Sequence, residues 1–116
     1  MIQRFAGSAY GRSSAVIHNG LVFTVATARN KSASLGEQTR DALKALDARL
    51  KEAGSSKSRI LSATVYITDM ARKPDMNAAW DEWVDPDNSP QRACIGAVLE
   101  GNDLIEIVVI AAAGAS

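Results

Sequence analysis

The chain has 116 residues, of which 47% are hydrophobic and 22% charged, values typical of one globular domain with a single modest core over residues 1–116. Basic and acidic residues number 13 each, so the zero net charge provides no overall field to attract nucleic acid or an anionic membrane, and we expect neither as a partner. One cysteine excludes an internal disulfide, and no signal-peptide pattern or membrane-spanning run is present, so a cytoplasmic protein is expected.

The N-terminal quarter of the chain has the pattern of short strands joined by tight turns. Residues 2–5 can form a short first strand. Residues 14–18 and 21–27 flank Asn19 and Gly20, the strongest two-residue signal for a type I′ turn. We therefore predict a β-hairpin over residues 14–27.

The first helix is predicted from its capping residues and its apolar stripe. Ser34 is a favoured N-cap, and Glu37 three positions later completes the capping-box pattern. Apolar residues recur at helical spacing up to Gly54, which is a favoured residue just beyond a helix. The pattern predicts a helix over residues 35–53.

A strand and a second helix follow. Residues 60–69 alternate between apolar and polar side chains, as in a strand with one buried face. The helix begins near Pro74, ends before Pro86, and carries Trp80 and Trp83 on its apolar side. Both tryptophans are interpreted as packing residues rather than as a cage for a ligand.

The last two strand-like runs, residues 90–99 and 104–111, are separated by the turn formers at 100–103, so a second β-hairpin is predicted. The element order becomes strand, strand, helix, strand, helix, strand, strand. We expect an α+β fold in which two helices pack on one face of a mixed, mostly antiparallel sheet.

Arg92 is the first candidate for function. Strand alternation places Arg92, Cys94, Gly96 and Val98 on one face, and the small Gly96 leaves room beside the other two. A guanidinium group binds a carboxylate through two parallel charge-assisted hydrogen bonds. The ordinary alternatives are an exposed arginine at a strand end and a cysteine buried in the core.

Glu106 is the second candidate, because a carboxylate inside such an apolar run is costly to desolvate without a partner or a task. The ordinary alternative is a position on the solvent face of a half-exposed strand. If Leu99 pairs with Leu104, Glu106 lies opposite Ala97 on the face away from Arg92. A one-residue bulge reverses this, and a neighbouring subunit can also bring the two groups together.

Other chemistries lack the residues they need. His18 is the only histidine and lies beside a predicted turn, which disfavours catalysis by a Cys94–histidine pair and leaves no zinc-ligand spacing. No glycine-rich phosphate loop is present. We therefore expect neither a metal nor an organic cofactor.

Three stretches carry a resemblance to a known family. They are the sequences MNAAW around Asn77, PQRAC ending at Cys94 and IEIVVIA containing Glu106. Together with the element order over nearly the whole chain, they resemble the YjgF/RidA family of reactive-intermediate deaminases. The resemblance implies a chorismate-mutase-like α+β fold and a homotrimer with three ligand clefts between its subunits.

The resemblance also implies roles for individual residues. Arg92 matches the arginine that holds the substrate carboxylate, and Glu106 matches the glutamate linked to the attacking water. Cys94 matches a cysteine that lines the pocket, and Asn77 matches an asparagine near the site.

Two positions depart from the family pattern, as in a divergent subgroup. Val25 replaces a serine of the second long strand, although the backbone amide of Ala26 can still contact substrate. A family tyrosine falls close to Arg12, so its phenol is missing unless Tyr10 substitutes.

The implied activity is hydrolysis of 2-imino acids, such as 2-iminopropanoate derived from 2-aminoacrylate, to 2-keto acids and ammonia. This is the reaction of a 2-iminobutanoate/2-iminopropanoate deaminase. The alternative is a non-catalytic trimer that binds a small carboxylate for regulation, which the two departures favour. A third interpretation, ribonuclease or translation inhibitor after an older endoribonuclease L-PSP label, is disfavoured by the neutral charge.

Overall fold

Six strands and two helices are formed by residues 1–114, the part of the chain that the computed structural model describes. The strands are β1 (Gln3–Ala6), β2 (Ser13–His18), β3 (Leu21–Thr27), β4 (Ile60–Ile67), β5 (Gln91–Gly96) and β6 (Ile105–Ala112). The helices are α1 (Leu35–Glu52) and α2 (Lys73–Trp83). Short 3₁₀ turns at Lys57–Arg59 and Met70–Arg72 precede β4 and α2.

The strands form one mixed sheet in the order β1-β2-β3-β6-β4-β5. Every neighbouring pair is antiparallel except β4 and β5, which run parallel. Both helices pack on the same face, which confirms the predicted α+β fold. Except for β5, which ends at Gly96 rather than at residue 99, the element bounds agree with the sequence patterns to within about two residues, the usual uncertainty at element ends.

The turn and the helix ends that local sequence signals predict are present in the structure. Asn19 and Gly20 both have positive φ, 49° and 76°, as a type I′ turn between β2 and β3 requires. At the start of α1, the Ser34 hydroxyl accepts a hydrogen bond from the Glu37 amide at 3.4 Å. Beyond its end, Gly54 adopts the left-handed conformation with φ 76°. These caps fix both ends of α1.

The predicted final hairpin is wrong, because β5 and β6 are not neighbours. β4 lies between them, so β6 pairs with β3 and β4 while β5 occupies the outer edge of the sheet. The helix α2 carries the chain from β4 to β5, and residues 97–104 then return it across β4. This arrangement gives the most apolar strand, β6, a central position with neighbours on both sides.

The two faces of the sheet differ in what covers them. On the helix face, Leu43, Leu46 and Leu50 of α1 are fully buried together with Ile67 and Ile107. The other face, called here the open face, is not covered by any layer that residues 1–114 form. Its exposed apolar side chains are Phe23, Val25, Ile95 and Val108, which are 37–44% accessible. No helix within residues 1–114 is long and apolar enough to cross a membrane.

Candidate functional site

Arg92 lies on the helix face of β5, because its register partner on β4 is the buried Ala63. Its Nη2 donates to Asn77 Oδ1 at 2.8 Å, and its Nη1 lies 3.7 Å from the thioether sulfur of Met76. The guanidinium carbon stands 5.3 Å from the ring centroid of Trp80, in cation–π distance. Three side chains of α2 therefore hold this half-buried cation in one orientation.

None of these contacts neutralises the charge of Arg92. Asn77 is a neutral acceptor, and no carboxylate of residues 1–114 lies within 4.0 Å of the guanidinium nitrogens. A guanidinium has five N–H donors in a planar fork, and the two recorded contacts leave several of them unused. Arg92 is thus oriented by its own chain and remains able to bind an external carboxylate.

Cys94 and Gly96 share the helix face with Arg92, as alternation predicted, because they pair with the buried Val65 and Ile67. The room expected beside Gly96 is absent. A Cβ at that position would come within 2.9 Å of the Met70 side chain, which fills the space. Val98 lies beyond the end of β5 and is fully exposed, so it does not belong to this face.

Glu106 lies on the open face, opposite Thr27 of β3 and Tyr66 of β4. The predicted alternative pairing with Ala97 does not occur, because the β5–β6 hairpin is absent. Within one chain, Arg92 and Glu106 therefore face opposite sides of the sheet. Glu106 is half-buried and forms no salt bridge with any residue between 1 and 114.

The remaining sequence candidates also divide between the two faces. Val25 projects from the open face, as Glu106 does, and is 37% exposed. Ala26 is buried on the helix face, so only its backbone is available to a ligand. Tyr10 and Arg12 belong to the exposed connection between β1 and β2, and the Tyr10 ring is fully accessible.

Gln38 of α1 was assigned no role from the sequence, although its side chain is completely buried. Its Nε2 donates to the carbonyls of Lys31 and Asn102, each at 3.1 Å, and to that of Ala33 at 3.4 Å. Its Oε1 accepts from the Leu104 amide at 3.0 Å. One side chain thus joins the loop of residues 28–34 to the loop of residues 97–104.

A cavity of about 580 Å³ lies against these two loops, and Lys31 and Asp103 are its charged lining residues. Lys31 Nζ donates to Thr27 Oγ1 at 3.2 Å and forms an ion pair with Asp103. Neither Arg92 nor Glu106 lines this cavity. Lys31 nevertheless reaches Thr27, which is the direct neighbour of Glu106.

Two carboxyl groups that do not line this cavity have lowered pKa values. Hydrogen bonds from the backbone amides of Asn30 and Arg29 lower the pKa of Asp41. The side chains of Asn88 and Ser58 lower the pKa of Asp85. Both carboxylates anchor loops, and neither contacts Arg92 or Glu106.

No group of three or more histidine, cysteine, aspartate or glutamate side chains lies close enough to hold a metal ion anywhere in residues 1–114. His18 is exposed beside its turn, where its Nδ1 lies 3.3 Å from the Met1 carbonyl oxygen.

The fold and the site together define the class of protein. It is a thin α+β protein with an oriented arginine on one face of its sheet, and on the other face a glutamate that has no salt bridge within residues 1–114. Residues 1–113 match the family described as Endoribonuclease L-PSP. A RutC family protein from Haemophilus ducreyi is 44% identical over 104 residues, covering 86% of this chain and 87% of that protein. The RutC family protein YoaB from Escherichia coli K12 is 37% identical over 101 residues, covering 86% and 89%.

A solved structure gives the same result. The crystal structure of a YjgF family member from Neisseria meningitidis has a TM-score of 0.93 and 35% identity, covering 100% of this chain and 98% of that chain. The chain belongs to the YjgF/RidA family, for which Endoribonuclease L-PSP and RutC are further names. The resemblance drawn from the three sequence stretches is thereby confirmed.

Proposed function

We propose that the protein is a homotrimeric hydrolase of reactive 2-imino acids, similar to a 2-iminobutanoate/2-iminopropanoate deaminase. Its substrates are small carboxylates that bind in clefts between subunits. The reaction needs no metal or organic cofactor.

The observation that carries the proposal is the state of Arg92. Its guanidinium is oriented by Asn77 and Trp80, yet it has no carboxylate partner among residues 1–114. A fixed, uncompensated guanidinium binds a carboxylate bidentately at a small entropic cost. Because Cys94 shares this face, its thiol lines the same part of the cleft.

Glu106 supplies the acid–base chemistry. It accepts a proton from water as the water oxygen adds to the imine carbon, forming a C–O bond. It then returns this proton to the nitrogen, which gives a carbinolamine. A second transfer, in which Glu106 takes the proton of the carbinolamine hydroxyl and gives it to the nitrogen, forms the C=O bond as the C–N bond breaks, and a 2-keto acid and ammonia leave. Val25 lines the cleft on this face, and the Ala26 backbone provides a further polar contact.

A complete site requires a second chain, since Arg92 and Glu106 face opposite sides of the sheet. Arg92 belongs to the edge strand β5, where another subunit can approach. The accessible surface is 6789 Å², whereas a monomer of 12.3 kDa is expected to expose about 6100 Å². The excess is consistent with an open face that other subunits cover.

The alternative is a trimer that binds a small carboxylate without hydrolysing it. This alternative draws on the two departures from the family pattern. Val25 replaces a serine on the same face as Glu106, and Arg12 falls where the family has a tyrosine, whose phenol is missing unless Tyr10 substitutes. A ribonuclease is less compatible, because the net charge is zero and His18 is isolated beside a turn.

The test is hydrolysis of imines generated by an amino-acid oxidase, with semicarbazide competing for them. We expect the protein to suppress semicarbazone formation. Arg92→Ala should lower kcat/KM by about 30- to 100-fold, as loss of a charge-assisted hydrogen-bonded pair implies. Arg40→Ala is the matched control, because Arg40 pairs with Glu82 on the exposed helix layer.

The outcomes separate the two candidates. Hydrolysis that depends on Arg92 but not on Arg40 supports the deaminase. Binding of 2-ketobutyrate without hydrolysis of any imine, if abolished by Arg92→Ala, replaces the deaminase with the carboxylate-binding trimer. Equal activity of the Arg92→Ala and Arg40→Ala variants contradicts the role of Arg92.

A further inference from the structure

Glu106 has two side chains directly beside it on the open face. The register pairs it with Thr27 on one side and with Tyr66 on the other. Side chains of directly opposed residues start about 4.5–5.5 Å apart at their Cβ atoms, so short polar groups there can meet. The register thus places the Thr27 hydroxyl and the Glu106 carboxylate side by side on one face. No hydrogen bond joins them among residues 1–114 of the single chain, so the contact requires a rotation of the Glu106 side chain.

The hydrogen bond that Lys31 donates to Thr27 restricts the direction in which the Thr27 hydroxyl proton can point. Lys31 Nζ lies 3.2 Å from Thr27 Oγ1, and an ammonium group can only donate. The threonine oxygen is thus the acceptor in this pair, and its own proton must point elsewhere. The adjacent acceptor on the same face of the sheet is the Glu106 carboxylate.

Lys31 is itself held in place. Its ammonium forms an ion pair with Asp103, whose side chain is only 16% exposed. Its backbone carbonyl accepts a hydrogen bond from the buried amide of Gln38 at 3.1 Å. Both ends of Lys31 are fixed, so the hydroxyl that it contacts is oriented before any ligand arrives.

Tyr66 does not provide an equivalent contact. Among residues 1–114 no hydrogen bond fixes the Tyr66 hydroxyl, whereas Lys31 holds the Thr27 oxygen at 3.2 Å.

We propose that Thr27 is a positioning residue for Glu106. Its hydroxyl donates to one carboxylate oxygen and leaves the other oxygen directed at water, while Lys31 acts through Thr27 by fixing the hydroxyl. The inference rests on the proposed hydrolase function, because it concerns the residue that would position water there.

The first test compares isosteric variants in the imine assay. Thr27→Val replaces the hydroxyl with a methyl group, and we expect kcat to fall about tenfold or more, since a hydrogen bond to a charged group is lost. KM should stay within about twofold, because substrate binding depends on Arg92. Thr27→Ser restores the hydroxyl and should recover most of kcat.

Thr64→Val is the matched control, because Thr64 is a half-buried threonine on the same face that neighbours Val108 rather than Glu106. Its kcat should equal that of the unaltered protein. Equal losses in Thr27→Val and Thr64→Val, or failure of Thr27→Ser to recover kcat, would overturn the inference.

Lys31 provides a second test through non-additivity. Lys31→Met should lower kcat less than Thr27→Val does. The kcat of the double variant should be no lower than that of Thr27→Val alone. Lys31 acts through Thr27, so the losses in kcat caused by the two substitutions are not additive. Additive losses would mean that Lys31 acts independently of Thr27, which contradicts the proposed chain of contacts.

A crystal structure of the assembled protein tests the contact without an activity assay. We expect Thr27 Oγ1 within about 3.0 Å of a Glu106 carboxylate oxygen. If the contact is present and no imine is hydrolysed, the proposed function fails while the positioning of Glu106 by Thr27 stands. If imines are hydrolysed and the contact is absent, the positioning fails and the proposed function stands.

Discussion

At the scale of single residues, the notable feature of Arg92 is that its partners are neutral. An aspartate in place of Asn77 would hold the guanidinium more strongly, but it would also compete with any incoming carboxylate. An amide, a thioether and an indole instead orient the side chain while leaving its charge available. Strand alternation alone predicted that Arg92 and Cys94 share a face. The contact between Arg92 and Trp80 was not predicted, because it depends on how α2 packs beside β5.

Gln38 allows a prediction about stability. Gln38→Leu removes the partner of four backbone groups in two part-buried loop contacts, and an unsatisfied buried group costs about 1–3 kcal/mol. We expect the free energy of unfolding to fall by about 3 kcal/mol or more, measured by urea denaturation.

The control for this prediction is Gln91→Leu, because Gln91 is exposed on the edge strand and its side chain has one hydrogen bond within residues 1–114, which it accepts from the Ser62 hydroxyl. A loss no larger for Gln38→Leu than for Gln91→Leu would show that Gln38 does not join the loops. A periodic reading of α1 contains the signal for Gln38, since it lies between Leu35 and Ala42 on the stripe that faces the core.

At the scale of secondary-structure elements, the sequence predicted what is local and missed what is not. The β2–β3 turn and the ends of α1 depend on residues within a few positions of one another, and they formed as expected. The pairing of β5 with β4 depends on α2, because this helix connects β4 to β5 and β5 lies on the outer side of β4. Neighbouring strands in sequence pair in only about two-thirds of cases, so turn formers at 100–103 were weak evidence for a hairpin.

The wrong pairing explains why the face of Glu106 could not be derived from the sequence. The face depends on which strand supplies the neighbour of Glu106, and that neighbour is Tyr66 of β4 rather than a residue of β5. The composition and the alternation of residues in β6 are the same whether β6 pairs with β5 or with β4, so they cannot tell the two pairings apart.

The loop that follows β3 should make stability depend on pH. The Asp41 carboxylate of α1 accepts the backbone amides of Asn30 at 2.9 Å and Arg29 at 2.5 Å, and these bonds lower its pKa. A lowered pKa in the folded state stabilises the protein above the unfolded value of about 3.9, and this contribution is lost as the pH falls through the folded value.

We therefore expect Asp41→Asn to destabilise the protein more at pH 7 than near pH 2, measured by urea denaturation at both pH values. Asp81→Asn, which alters an exposed aspartate of α2, serves as the comparison. A destabilisation by Asp41→Asn that is the same at both pH values would contradict a role for the charge.

At the scale of the whole molecule, the chain is a slab with extents of 41 × 37 × 19 Å and one uncovered sheet face. Two layers cannot enclose both sides of a sheet. The apolar side chains Phe23, Val25 and Val108 are therefore exposed to solvent unless another chain packs against them. A trimer that covers them would place Glu106 beside a neighbouring subunit.

Mixing two inactive variants tests this arrangement directly. If each cleft takes Arg92 from one chain and Glu106 from the next, an equal mixture of Arg92→Ala and Glu106→Gln subunits restores about one quarter of the clefts. The expected imine-hydrolysis activity after unfolding and refolding them together is therefore about one quarter of the unaltered protein.

The control mixes Arg92→Ala with Arg92→Lys/Glu106→Gln, a pair in which no chain contributes an intact arginine. Activity should stay near that of the separate variants. If the first mixture also remains inactive although mixed trimers form, each cleft takes both groups from a single chain.

The parallel pairing of β4 with β5 has a consequence for how such a protein can diversify. Arg92, Asn77, Met76 and Trp80 all come from one continuous segment, residues 73–96. Glu106 and its neighbours come from segments on either side of it. If the proposed function holds, substitutions confined to residues 73–96 would change which anion is recognised, while Glu106 and its neighbours, which would position the attacking water, are inherited unaltered. New ligand preferences and loss of hydrolysis would then be separate evolutionary events, recorded in different stretches of the gene.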